Sequence, residues 1–185
     1  LSKFPTGADI VAKAVALKNV TGMNPDKRLL ARRDCEYKIF QSIEKAFFEP
    51  KIVGPFSNLK EFLDLAQSIL QARKTRGGRS LELHVKEVLD EEKFVSGSDY
   101  SYAPVIEGGK KPDFIFPSKA AYDDPAFAAR KLRMLGAKTT VKDRWRQIIN
   151  EADRIAVKHL ITLQEGVSDS QFSEMRTAGV HLVVP

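Results

Sequence analysis

Apolar residues recur at helical spacing through the first half of the chain. Tyr37, Ile39, Phe40, Ile43, Ala46 and Phe47 share one face of a helix over 36–47, which Pro50 is expected to stop. Ser57 and Asn58 are N-cap candidates for a second stripe of Leu59, Phe62, Leu63, Ala66, Ile69 and Leu70. A basic stretch, Arg73-Lys74-Thr75-Arg76-Gly77-Gly78-Arg79, reads as a break. A third helix follows from about Ser80, with Leu81, Val85, Val88 and Leu89 turned inward.

Residues 95–111 are rich in Ser, Gly and Tyr and read as a loop or irregular hairpin. Beyond them the period changes. Phe114-Ile115-Phe116 is a short strand between Pro112 and Pro117, and 132–140 is a second strand. A helix is predicted over 142–157, a third strand over 159–163, and a helix that Ser168 or Asp169 caps and Gly179 ends. Val180–Val184 is a fourth strand. Strand and helix alternate here, so the fold expected is α/β, a mixed sheet with helices packed on it, preceded by a mainly helical half. The 185 residues suit one domain, 1–94 mainly helical and 95–185 the α/β core, and no linker divides them.

Composition narrows the function. Lys and Arg number 30 against 24 Asp and Glu, a net charge of +6 and a pI of about 9.4. That balance favours polyanions, nucleic acid before an anionic membrane, since no long basic amphipathic helix is present. The apolar runs are only a few residues long, as in Leu182-Val183-Val184, so no transmembrane helix is expected. No secretory signal stands at the N-terminus. The single Cys35 excludes an internal disulfide framework and a multi-cysteine zinc site, and fits a reducing cytoplasm. A Gly-rich phosphate loop, His-Glu-x-x-His and Gly-x-Ser-x-Gly are all missing, and no organic cofactor is implied. His159 and His181 fall in apolar strands and read as sheet residues rather than ligands.

One constellation carries chemistry. Asp113 opens a strand, Lys138 ends the next, and Glu151 lies on the helix that follows, at the edge of the Trp145/Ile148/Ile149/Ala152/Ile155/Ala156 stripe. Two carboxylates can hold Mg²⁺ through hard oxygen ligands, and an ammonium can orient or stabilise an attacking hydroxide at a phosphodiester. On spacing alone the same helix also reads as a solvated face of Asp143, Arg144, Arg146, Glu151 and Arg154 with ion pairs at i,i+3.

The segment from Lys111 to Pro185 resembles the catalytic domain of the EcoRII-type restriction endonucleases, of the PD-(D/E)xK nuclease superfamily. The matching residues are Lys111-Pro112-Asp113-Phe114-Ile115-Phe116-Pro117, Leu135-Gly136-Ala137-Lys138-Thr139-Thr140 and Lys142-Asp143-Arg144-Trp145-Arg146-Gln147. Glu151-Ala152 and the stretch from Lys158 to Ser168 extend the match, and the segment from Arg73 to Glu82 is compatible with it.

The resemblance implies a restriction-endonuclease-like mixed β-sheet core and a set of roles. Asp113 is the acid of the Pro-Asp and Lys138 the catalytic lysine. The acid usually found two residues before the lysine is Gly136 here, and Glu151 matches a position displaced onto the following helix, a reach for which Gly136 would leave room. Glu82 resembles an additional acid from an earlier helix, and the Ala137 carbonyl is offered to the metal. Tyr122 is placed to help position the phosphate. Lys142, Asp143 and Arg144 match the base-reading helix start, with Arg146 beside them; arginine is bidentate to guanine and a carboxylate accepts from cytosine N4. Lys74, Arg76, Arg79 and Arg33 are candidate phosphate contacts.

The implied activity is Mg²⁺-dependent cleavage of double-stranded DNA at a CCWGG-like site, leaving 5′-phosphate ends. One Asp-Lys-Glu set per chain implies a homodimer for cutting both strands. Some relatives flip the central base pair. The family's namesake carries a further N-terminal effector domain, for which a chain starting at Leu1 leaves no room; a catalytic part alone or a shorter homologue is expected. The rival readings are another nuclease of the superfamily with a different DNA target, and a DNA-binding module without catalysis.

Overall fold

The computed structural model describes residues 3–185, which form two compact units, 3–84 and 85–185. Among the described residues no helix is long and apolar enough to cross a membrane.

The first unit is built on helices α1 (Gly7–Leu17) and α2 (Pro25–Ile52) and the greater part of α3 (Leu59–Glu91). Thr6 and Asp9 close a reciprocal capping box on α1. Asn24 caps α2, whose first residue is Pro25. Asn58 caps α3 by accepting from the Glu61 amide at 3.0 Å. Ile10, Val11, Ala14, Leu29, Phe40, Phe48 and Leu81 are buried, and the Phe4 ring packs on Phe40, Phe47 and Phe48.

Two expectations fail in this unit. Pro50 does not stop its helix, which runs on to Ile52. A proline in the last turn removes one backbone bond near an end that frays anyway. Nor is there a break at 73–79, for α3 continues through it. Two interior glycines cost about 1 kcal/mol each relative to alanine. Opposing that cost, Arg73 makes a bidentate pair with Glu44 of α2, at 2.7 and 2.8 Å, and Arg76 reaches Glu36 with its guanidinium over the Tyr37 and Phe40 rings. The apolar stripe over 59–70 is largely open, with Leu59, Phe62, Leu63 and Leu70 exposed.

The second unit holds a five-stranded sheet in the order β1 (Ser101–Tyr102), β2 (Phe114–Phe116), β3 (Arg133–Ala137), β4 (Lys158–Ile161), β5 (Val180–Val183). The first two pairings are antiparallel and the last two parallel, so the sheet is mixed as expected. Helices α4 (Lys119–Asp123), α5 (Trp145–Ile149) and α6 (Asp169–Thr177) accompany it. One apolar cluster joins Ile115, Leu132, Met134, Trp145, Ile148, Ile155, Leu160, Met175 and Val180. Ser168 caps α6. Past that helix Gly179 takes φ +72°, and a Cβ there would lie 3.2 Å from the Ala156 carbonyl.

The helix predicted over 142–157 is the main departure. A 3₁₀ turn, Lys142–Arg144, leads into α5, which stops at Ile149, and Ala152 sits at φ +53°. Tertiary contacts outbid the helical pattern. The buried Lys158 ammonium donates to the Glu151 and Ala152 carbonyls, the second at 2.6 Å. The Asp153 amide goes to Glu107 Oε1 at 2.8 Å. Arg154 is clamped on the carbonyls of Tyr122, Asp124 and Phe127. The apolar positions of the predicted stripe are still buried at 148, 152 and 155, reached by a turn instead of a helix.

Candidate nuclease centre

Antiparallel pairing of β2 with β3 matches Phe114 to Leu135, which puts the residue before β2 beside the end of β3. That residue is Asp113, 8% exposed. Its Oδ2 accepts from the Ala137 amide at 2.7 Å and from Lys138 Nζ at 2.8 Å. The Lys138 side chain is only 12% exposed, and its amide continues the ladder to the Ile161 carbonyl at 3.0 Å. An ion pair so shielded from water is stronger than a surface one and costs more to separate. Sheet register alone thus brings together the two residues that the sequence placed 25 positions apart.

Gly136 lies between them in the ladder. A Cβ on it would sit 2.9 Å from Ile148 Cγ2, so the space it leaves is taken by Ile148, which seats α5 on β3. A side-chain acid at 136 has no room in this packing. Gly136→Ala is expected to cost about 1–3 kcal/mol by overpacking against a stiff β-branched neighbour. Chemical denaturation reads that loss, and Ile148→Leu in the same chain, which removes Cγ2, should recover part of it.

Glu151 follows α5 by two residues. It is half-buried and lies in a bend, not on a helix as expected, because Lys158 holds the Glu151 and Ala152 carbonyls. Glu82 is half-buried on α3 within the first unit.

Tyr122 is a helix residue of α4 and 2% exposed. Its hydroxyl donates to Glu107 Oε1 at 2.7 Å. Burial first, and then the Glu107 carboxylate, push its pKa above the ordinary range. That is the setting of a core anchor, and the same Glu107 oxygen takes the Asp153 amide.

The base-reading candidates lie on the 3₁₀ turn. Lys142 and Asp143 are exposed and Arg144 is half-buried. Lys142 has φ +27°. Two glutamines anchor this turn: Gln164 Oε1 accepts the Val141 amide at 2.8 Å, and Gln171 Nε2 donates to the Lys142 carbonyl at 2.5 Å. Sequence reading missed both, since side-chain amides in loops carry no periodic signal. Arg146 pairs with Asp143 at 2.8 Å and Glu174 at 2.7 Å, with its guanidinium over Trp145. Trp145 itself is core.

Among the phosphate-contact candidates, Lys74 is exposed on α3. Arg33 is not an open cation: its side chain is 14% exposed and bound to Glu36 and Ser80. Arg76 shares Glu36 with it.

Among the described residues no group of three or more His, Cys, Asp and Glu side chains is gathered closely enough to hold a metal ion. A closed zinc-type cage is therefore missing from them. Magnesium asks for less, one or two carboxylates with the remaining positions filled by water and substrate phosphate, and the hard oxygens of Asp113 and Glu151 suit it.

Comparisons with known proteins extend this picture. The family model described as EcoRII C terminal matches residues 40–185. Over 183 residues, 99% of this chain and 45% of the relative, it is 46% identical to the type II restriction enzyme EcoRII of Escherichia coli. It is 24% identical to the type II restriction enzyme SsoII of Shigella sonnei, across 86% of this chain and 60% of that one. Thus the chain spans only about half the length of the curated relatives it matches. Two solved structures of Ecl18kI, metal-depleted and in complex with uncleaved DNA, share the fold, with TM-scores of 0.76 and 0.77 at 24% identity. They cover 99% of this chain and 70% of theirs.

Proposed function

The chain belongs to the EcoRII C-terminal family, and from that premise we propose that it is the catalytic part of a type II restriction endonuclease, hydrolysing DNA phosphodiesters at a CCWGG-like site in the presence of Mg²⁺. The observation that carries the reading is the Asp113–Lys138 pair at the end of β3, shielded from water. It is the acid and the ammonium that phosphodiester cleavage needs, already in contact.

Asp113 and Glu151 would hold the metal through carboxylate oxygens, with the Ala137 carbonyl as a further hard ligand. A Mg²⁺ ion held there would lower the pKa of water and neutralise charge on the phosphate. The Lys138 ammonium orients the attacking oxygen and stabilises the charge that builds on the phosphoryl group. Asp113 holds that ammonium in place. The products carry 5′-phosphate and 3′-hydroxyl ends.

Lys142, Asp143 and Arg144 read base edges from the 3₁₀ turn, which Gln164 and Gln171 hold in place. Arg146 supports Asp143 from its ion pairs. Lys74 contacts phosphate, with Arg76 and Arg79 as further candidates, and Arg33 would do so only on leaving Glu36. One set of catalytic residues per chain requires two chains to cut both strands, hence a homodimer. The exposed Leu59/Phe62/Leu63/Leu70 stripe is the type of surface a second copy covers. Double-stranded DNA as substrate and a cytoplasmic location complete the reading.

The test is incubation with duplex DNA carrying CCWGG sites, with Mg²⁺ or with EDTA, beside Lys138→Ala. Discrete fragments that need Mg²⁺ and vanish with the substitution support the reading, and end-mapping gives the site. Cutting elsewhere points to a different target. Salt-sensitive binding without cutting at any site points to a module that kept the surface and not the chemistry.

A further inference from the structure

At the opposite end of β3 from Lys138 the second unit has a cavity of about 470 Å³. Its titratable lining is entirely basic: Arg130, Arg133, Arg154, His159 and His181, with no carboxylate. Arg133 begins β3 and Lys138 follows its end. Five residues of strand separate the two by about 17 Å, so the cavity is not part of the nuclease centre.

These basic groups divide by how far their own structure engages them. Arg154 is spent on carbonyls of 122, 124 and 127. Arg133 gives Nη1 to the Arg130 and Leu132 carbonyls, which fixes its guanidinium at the cavity. Arg130 is exposed at the rim. His159 and His181 are register partners on β4 and β5, their rings 5.6 Å apart edge to face. Burial, then His181 and Arg133, hold the His159 pKa below its usual value, opposed by a backbone bond at Met134. Leu132, Ile155 and Val157 supply an apolar wall.

We propose that this cavity binds a small organic phosphomonoester of nucleotide size, its phosphate against Arg130, Arg133 and the two imidazoles and its apolar part against Leu132, Ile155 and Val157. The volume lies within the range of small-molecule sites, and a forked guanidinium beside imidazole donors suits a phosphate dianion. The inference stands apart from the nuclease reading, because it uses none of its residues.

The experiment titrates the intact chain with dCMP, with inorganic phosphate and with a short duplex lacking CCWGG. Calorimetry follows affinity, and the imidazole Cε1–H signals of His159 and His181 follow location. Expected is saturable dCMP binding that shifts both histidine signals and that Arg130→Ala or His181→Ala weakens about 10-fold each. Both positions are exposed, so the variants should keep the wild-type circular dichroism, and Mg²⁺-dependent DNA cleavage should be unaltered. Failure of dCMP to bind, or binding indifferent to both substitutions, overturns the proposal. Equal affinity for inorganic phosphate overturns the role of the apolar wall and with it the organic ligand. Histidine shifts with the duplex alone overturn it in favour of a DNA-backbone contact.

Discussion

Glu36→Gln is expected to destabilise the helical unit by about 3 kcal/mol, more than any other single change of equal volume in that unit. Glu36 is fully buried in α2. One oxygen, Oε2, takes Ser80 Oγ at 2.5 Å and Arg33 Nη1 at 3.0 Å, with His84 Nε2 3.7 Å away, and Oε1 takes Arg76 Nη1 at 3.3 Å. Removing the charge leaves two poorly hydrated guanidiniums crowded together without a counter-ion. Glutamine keeps the shape, so the loss isolates electrostatics from packing. Urea unfolding followed by helical circular dichroism reads it. A change under about 0.5 kcal/mol would mean that the arginines find water instead.

The same carboxylate sets an acid limit. Burial works to raise its pKa. His84 and Ser80, and after them the charges of Arg33 and Arg76, overcome that and bring it down to about 2 from 4.5. A group whose folded pKa is depressed stabilises the fold above its unfolded pKa and loses that contribution as pH falls through the folded value. The window is therefore from about pH 4.5 to about pH 2, and the contribution at neutral pH is about 3 kcal/mol. Stability measured against pH should fall across that window in the native protein and fall less steeply in Glu36→Gln.

This network was not legible in the sequence. In a helix read by apolar periodicity, a glutamate next to Tyr37 counts as solvated, and the buried and open positions come out exchanged: Glu36 is inside and Tyr37 is 46% exposed. The continuity of α3 was hidden for a related reason. Gly77-Gly78 carries a local penalty, whereas the ion pairs with Glu44 and Glu36 that offset it are 29 and 40 residues distant. Local patterns did suffice where one buried face dominates. The strands near 114–116, 158–161 and 180–183 and the Ser168-capped helix lie where the alternation puts them.

The centre was legible in part. The sequence marks Asp113 and Lys138 as strand-end residues, and β2–β3 pairing accounts for their contact. It shows Gly136 leaving room, but only packing shows that Ile148 takes it. Helical spacing of its neighbours puts Glu151 on a helix in the sequence. The bend arises from Lys158 and Glu107, each bonding to backbone in a way no spacing encodes.

Asp113→Asn is expected to lower Mg²⁺-dependent cleavage by about 10³-fold or more, some 4 kcal/mol of transition-state stabilisation, with little loss of fold. The amide is isosteric with the carboxylate, and its oxygen can still accept the Ala137 amide that now reaches Oδ2 at 2.7 Å. The end of β3 is then held by the same bond. On the proposed reading two functions are lost with the charge: a hard anionic ligand for the metal, and the counter-ion 2.8 Å from Lys138 Nζ. A Lys138 ammonium without its partner loses the fixed position on which its orienting role depends. DNA affinity in EDTA should not fall, since removing a negative charge beside the phosphate path relieves repulsion. Cleavage rate over a Mg²⁺ titration, DNA binding without metal and thermal unfolding separate these effects. Cutting at the wild-type rate would remove Asp113 from the centre. A rate lost together with DNA binding and the unfolding transition would make it a structural carboxylate and nothing more.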